Sequence, residues 1–99
     1  MKKIAGIQIS AEDNVVTVTH SADAGDLICY TSGGAAHELT AVSEIPKYHK
    51  AACREIPAGQ PIIKYGEPIG IAGVPIPPGT HVHTHNLQPV AFTDPRRRQ

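Results

Sequence analysis

Ile76-Pro77-Pro78-Gly79-Thr80-His81-Val82-His83-Thr84-His85-Asn86 is the stretch from which the fold is read. It begins as a turn. Gly79 stands at the third turn position, where a type II turn needs a positive φ, and Pro78 fixes its own φ one residue earlier. It continues as a strand signal with histidine at every second position. A strand sends alternate side chains to opposite faces, so His81, His83 and His85 are expected to share one face, with Val82 and Thr84 on the other. Imidazole is the commonest neutral metal ligand and titrates closest to neutral pH. A metal site, a proton-transfer site and solvent-facing histidines without a chemical role all fit the run by itself.

The same turn recurs upstream. Ala22-Asp23-Ala24-Gly25-Asp26-Leu27-Ile28 and Ile56-Pro57-Ala58-Gly59-Gln60-Pro61-Ile62 each end a segment, place glycine third and open an apolar run. The repeat is too irregular for a solenoid. It says that one kind of tight turn feeds three strands. Nine glycines and nine prolines divide the rest into short pieces, and no window supports a long amphipathic helix. Strands are expected at 4–9, 15–20, 27–31, 38–42, 50–55, 61–65, 69–72 and 81–86. The fold class is therefore all-β, a small irregular domain of short strands and hairpins.

At 99 residues the chain has the length of one domain. Residues 1–87 are read as that domain, and 88–99, ending in Arg96-Arg97-Arg98, as a solvated tail. With no Trp and one Phe, the core must come from Ile, Val, Leu and Ala, with Tyr30, Tyr48 and Tyr65 at its margins. A formal charge of zero argues against nucleic acid or an anionic membrane as the main partner. No transmembrane segment and no secretory leader are apparent, so a cytoplasmic setting with Cys29 and Cys53 as free thiols is expected. Cys29 reads as a structural thiol. Arg54 beside Cys53 would lower its pKa, but no paired base accompanies it.

Geometry limits the histidine run. Residues two apart on a strand are about 6.5 Å apart, and His81 and His85 would be separated by about 13 Å. Two imidazoles at the shorter spacing can reach one ion, and three can do so only if the strand bends. Asp13, Glu38, Glu67, His20, His37 and His49 are scattered along the chain without a ligand spacing. Further ligands are thus expected from elsewhere in the chain or from another protein. No Ser-His-Asp arrangement is evident.

Asp13-Asn14-Val15, Gly25, His49-Lys50-Ala51, Ile56 with Gly59, Ile63-Lys64-Tyr65-Gly66, Ile69-Gly70, and Ile76 with Gly79 leading into His81-Val82-His83-Thr84-His85-Asn86 form an ordered set. This set resembles the N-terminal SAF domain of altronate and galactarate dehydratases over about residues 4 to 87. The same domain occurs as the alpha subunit of sulfolactate sulfo-lyase. The resemblance implies a β-clip fold and a small subunit, or N-terminal domain, that works with a large catalytic subunit. The implied reaction is loss of water from a hydroxy-acid such as altronate or galactarate, giving a 2-keto-3-deoxy acid. The first alternative is release of sulfite from sulfolactate, and the second is a non-catalytic module that binds carbohydrate or protein.

The resemblance further implies a divalent metal in the assembled enzyme, iron or manganese. His83 and His85 match the motif as catalytic and metal-contacting residues, with His81 third among the metal candidates. Lys64 and Tyr65 follow as substrate contacts. The expected partners are the large subunit and a hydroxy-acid substrate, and homo-oligomers are compatible with the sequence.

Overall fold

The computed structural model describes residues 1–89. Among them the regular elements are nine strands: β1 (Lys3–Ile7), β2 (Val15–Val18), β3 (Leu27–Ser32), β4 (Ala35–Thr40), β5 (Lys50–Ala52), β6 (Pro61–Lys64), β7 (Glu67–Ala72), β8 (His81–Val82) and β9 (Leu87–Gln88). The all-β expectation holds. No helix of the described residues is long and apolar enough to cross a membrane. The run Arg96-Arg97-Arg98 lies outside the described residues, whereas Gln88 belongs to β9 and pairs with Ile71.

Six strands form one sheet in the order β4-β3-β1-β2-β5-β8, and three form another in the order β6-β7-β9. β1 serves two partners. It pairs in parallel with β3 through Lys3–Ala5, then antiparallel with β2 at Gly6 and Ile7. Each half has its own core. Ile4, Val16, Val18, Ala22, Ile28, Ala41, Ile45 and Ala51 form one cluster. Val15, Ala52, Ile56, Ile62, Ala72, Ile76 and Val82 form the other. Burying one such Ile or Val side chain contributes about 1.5–3 kcal/mol.

The repeated turn is the organising unit, and it occurs four times. In each copy the fourth residue donates its N–H to the first carbonyl: Asp26 to Asp23, His49 to Pro46, Gln60 to Pro57 and Thr80 to Pro77. The third residue has positive φ in all four: Gly25 at 94°, Tyr48 at 67°, Gly59 at 86° and Gly79 at 85°. The copy at 46–49 is invisible to a search for glycine because tyrosine holds the key position. A left-handed conformation costs an L residue with a side chain roughly 1–2 kcal/mol.

These turns belong to a duplicated frame. Ala22 and Ile45 exchange both backbone hydrogen bonds, at 2.9 and 2.8 Å, and Ile56 and Ile76 do the same at 2.9 and 2.9 Å. The N–H of Gly25 donates to Ala41 as that of Gly59 donates to Ala72. Tyr48 donates to Val18 as Gly79 donates to Ala52, and Val18 donates to His49 as Ala52 donates to Thr80. Each half is thus a turn, a hairpin and a closing bridge. β3–β4 is the first hairpin and β6–β7 the second.

The strand boundaries differ from expectation chiefly at 81–86, where the strand stops at Val82 and the chain turns. β5 likewise stops at Ala52 rather than residue 55. β4 starts earlier than expected, at Ala35, because Gly33 and Gly34, at φ 59° and 81°, make a two-residue hairpin turn.

Gly79 is constrained twice. Besides its positive φ, a Cβ there would lie 2.0 Å from the carbonyl oxygen of Thr40. Gly25 has the same φ requirement but nothing within 4 Å of a Cβ. Gly25→Ala should therefore cost about 1–2 kcal/mol, and Gly79→Ala about 3 kcal/mol or more because backbone must also shift. Urea unfolding of the two variants checks this, and equal losses would refute the packing argument.

Candidate functional site

The histidine site forms where the two halves meet. β5 and β8 are antiparallel, with Lys50 opposite Val82 and Ala51 opposite His81. Continuing that register brings His49 opposite His83. His49 Nδ1 and His81 Nε2 lie 2.9 Å apart, so one ring donates a proton and the other accepts it. Ring centroids are 5.1 Å apart for His49 and His81, 4.7 Å for His49 and His83, and 5.5 Å for His81 and His83. One nitrogen from each of His49, His81 and His83 lies within 4.8 Å of the others.

Asn86 makes this geometry. Its side chain is buried, its amide oxygen accepts the N–H of His83 at 2.9 Å, and its amide nitrogen donates to the carbonyl of His81 at 2.9 Å. The N–H groups of Asn86 and Leu87 both donate to the His83 carbonyl. One carboxamide thus satisfies backbone groups that a strand neighbour would otherwise take, and the chain reverses after Val82. The reversal brings His85 back until its ring centroid is 5.4 Å from that of His81, against the separation of about 13 Å for an extended strand. His81 is anchored at its other end, where its N–H donates to Ser43 Oγ at 3.3 Å.

Of the residues expected from sequence, His81 and His83 join in one three-nitrogen group. His85 stands beside it, its ring tilted by 41° to that of His81, but outside the group. His49 enters the site although it is more than 30 residues away in sequence. The signal that could have found it is the cryptic turn at 46–49, which starts β5 as the turn at 77–80 starts β8. Lys64 and Tyr65 occupy a different hairpin. Tyr65 and Gly66 both have positive φ, 58° and 72°, and their N–H groups donate to the two carboxylate oxygens of Asp13 at 3.0 and 2.8 Å. The Lys64 ammonium lies 4.8 Å from the exposed Tyr65 ring centroid.

Electrostatics suit a neutral ligand set. Burial, then the neighbouring His49, His85, His83 and Lys50, lowers the pKa of His81 from 6.5 to about 4. Lys50 is half-buried, and its pKa is lowered by that burial and by the charge of Lys64, which is therefore within electrostatic reach of β5. Burial pushes the Cys53 thiol up despite Arg54 beside it, as befits a packing residue. At Asp13 burial alone would raise the pKa, but the N–H groups of Gly66, Ser10, Tyr65 and Ile9 outweigh it and hold the carboxyl below its ordinary range.

Three convergent imidazoles with no carboxylate among them are a fitting donor set for a divalent transition metal. A shared ion at about 2.0–2.1 Å from each nitrogen would leave coordination positions free.

Fold and site together define a small duplicated all-β domain that presents clustered imidazoles where β5 meets the edge strand β8. The chain belongs to the altronate/galactarate dehydratase SAF domain family, whose sequence profile matches residues 4–89. It is 43% identical over 62 residues to (2R)-sulfolactate sulfo-lyase subunit alpha of Paracoccus pantotrophus, covering 63% of this chain and 92% of that subunit. It is also 35% identical over 82 residues to altronate dehydratase of Escherichia coli (strain K12), covering 83% of this chain. Altronate dehydratase of Bacillus subtilis (strain 168) is 34% identical over 82 residues. The chain spans only 16% of the length of either dehydratase.

Two outcomes test the site. Asn86→Ala removes two buried backbone partners and should cost about 2 kcal/mol of stability, read by chemical denaturation. The pH dependence follows from His81. The unfolded chain binds a proton there near pH 6.5, whereas the folded chain resists until about pH 4. Between those values the unfolded state holds more protons, so the metal-free protein loses stability as pH falls through this window. His81→Asn should flatten that part of the stability profile. The loss linked to Asp13 and Asp26 begins only below their ordinary value of 3.8 and should survive the substitution.

Proposed function

We propose that this chain is the histidine-bearing small part of a sugar-acid hydro-lyase, and that a larger catalytic polypeptide completes its site. The substrate is an aldonate or aldarate such as altronate or galactarate, which loses water to give a 2-keto-3-deoxy acid. The observation that carries the reading is the group of three imidazole nitrogens within 4.8 Å, His81 on the edge strand β8, His83 just beyond it and His49 at the start of the neighbouring β5. Family membership supplies the reaction class.

His49, His81 and His83 would hold a divalent metal. Imidazole donors suit iron better than manganese, which prefers carboxylate and water. When bound, the metal supplies Lewis-acid stabilisation of charge developing at the substrate carboxylate. His81 is poised for ligation because it stays neutral well below neutral pH. His85 lies next to the group and is exposed, in a position to pass a proton to the departing hydroxyl. Lys64 and Tyr65 offer an ammonium and a phenol to the substrate carboxylate. The base that removes the α-proton comes from the larger polypeptide, since no carboxylate joins the histidine group among the described residues.

A second reading has an observation of its own. The match to the sulfo-lyase alpha subunit extends over 92% of that subunit. The same site would then serve elimination of sulfite from sulfolactate.

Titration with Co2+, followed by its visible absorption, tests the ligand set on this chain alone. His49→Ala, His81→Ala and His83→Ala should each weaken binding at least about tenfold, and His85→Ala by much less. Co-expression with a large subunit and assay on altronate, galactarate and (2R)-sulfolactate tests the reaction. The chain alone should be inactive on all three. Turnover by the isolated chain would sink the shared-site reading, and the preferred substrate of the complex separates dehydratase from sulfo-lyase.

A further inference from the structure

Tyr48 occupies a position that this fold otherwise gives to glycine. In three of the four equivalent turns the residue of positive φ is Gly25, Gly59 or Gly79, and in the fourth it is tyrosine at 67°. Side chains resist this backbone conformation. Nothing inside the domain offsets the strain. The residue is 68% exposed, and the Lys47 ammonium 4.9 Å from the ring centroid is a surface contact. The backbone role of the position, an N–H donated to the Val18 carbonyl, would be met as well by glycine. Strain kept without structural return points to function.

Location narrows the function. Lys47, Tyr48 and His49 are contiguous around the turn and carry an ammonium, a phenol and an imidazole, while Lys50 follows on the face of β5 that it shares with Val82. Among the described residues, the lysine within salt-bridge distance of a carboxylate is Lys2, and neither Lys47 nor Lys50 is so paired. The exposed Lys47 ammonium therefore has no ion-pair partner among the described residues. A small anion that also carries hydroxyls fits this rim, with carboxylate meeting ammonium and hydroxyl meeting phenol.

We propose that Tyr48 is a ligand-contacting residue of the histidine site, held at its rim by a strained turn, and that the ligand is a hydroxylated carboxylate engaging the Tyr48 phenol and Lys47. This rests on reading the histidine cluster as a hydroxy-acid centre.

The test uses the full chain loaded with Zn2+ and titrated with galactarate, followed by NMR. Tyr48→Gly should weaken galactarate binding at least tenfold and change zinc affinity less than twofold. It should also raise the melting temperature, on the order of 4–8 °C for a domain of this size. Tyr48→Phe, which keeps ring and strain but loses the hydroxyl, should bind galactarate with intermediate affinity and melt like the parent. Unchanged galactarate binding in Tyr48→Gly overturns the proposal, as does a lowered melting temperature. Failure of the zinc-loaded parent to bind galactarate also overturns it, while normal zinc binding leaves the metal reading intact. If zinc itself does not bind, the metal reading falls, and the same comparison on metal-free chains decides the role of Tyr48.

Discussion

Two backbone exchanges hold this molecule in shape. Ala22 with Ile45, and Ile56 with Ile76, each close a long excursion of the chain with a pair of hydrogen bonds, and all four side chains are buried. Between the members of each pair runs a hairpin, and after each pair comes a tight turn that aims the next strand. Those next strands are β5 and β8. The closures therefore determine where His49 and His81 begin, and the 2.9 Å approach of their rings follows from two similar loops closed in the same way.

A domain with short strands leaves many backbone groups without a ladder partner, and four buried polar residues take them up. Asp13 gathers the N–H groups of Ser10, Tyr65 and Gly66. Asn14 joins β2 to β6, accepting from the Ile63 N–H and donating to the Pro61 carbonyl. Asp26 receives the N–H groups of Lys2 and Asp23. Asn86 bridges His81 and His83. Each replaces a missing strand neighbour with a short side chain. An unsatisfied buried group costs about 1–3 kcal/mol, so these residues add materially to the stability that the two small apolar cores supply. No buried side-chain nitrogen or oxygen of the described residues lacks a partner.

The all-β class, most strands and three of the turns were legible because they rest on local signals: β-branched runs, glycine at the third turn position, and proline before it. The fourth turn was not, because Tyr48 hides a left-handed residue that local statistics assign to glycine. The end of β8 was also misread. His-x-His-x-His has the period of a strand, but Asn86 offers the backbone a competing set of hydrogen bonds, and that choice depends on burial of its carboxamide rather than on periodicity. From sequence the leading pair was His83 and His85 with His81 third, whereas the three-nitrogen group contains His81 and His83. His49 was legible only as a scattered histidine and as part of the resemblance, and its place in the group is set by the register of β5 against β8, a long-range property of the fold.

The sheet topology sets how open the histidine cluster is. β2, β5 and β8 follow one another in the sheet, each pairing antiparallel with the next, and the repeat stops at β8. In the duplicated frame β5 is covered by its successor, whereas β8 is an edge of the six-stranded sheet. His49, at the start of the inner strand β5, and His81, on β8, are half-buried. On the edge, His83 and His85 remain exposed and reachable by another polypeptide. Three imidazoles suit a cation, and no carboxylate joins them among the described residues. An edge strand that presents its ligands outward is the arrangement through which a small domain can contribute to such a centre without enclosing it.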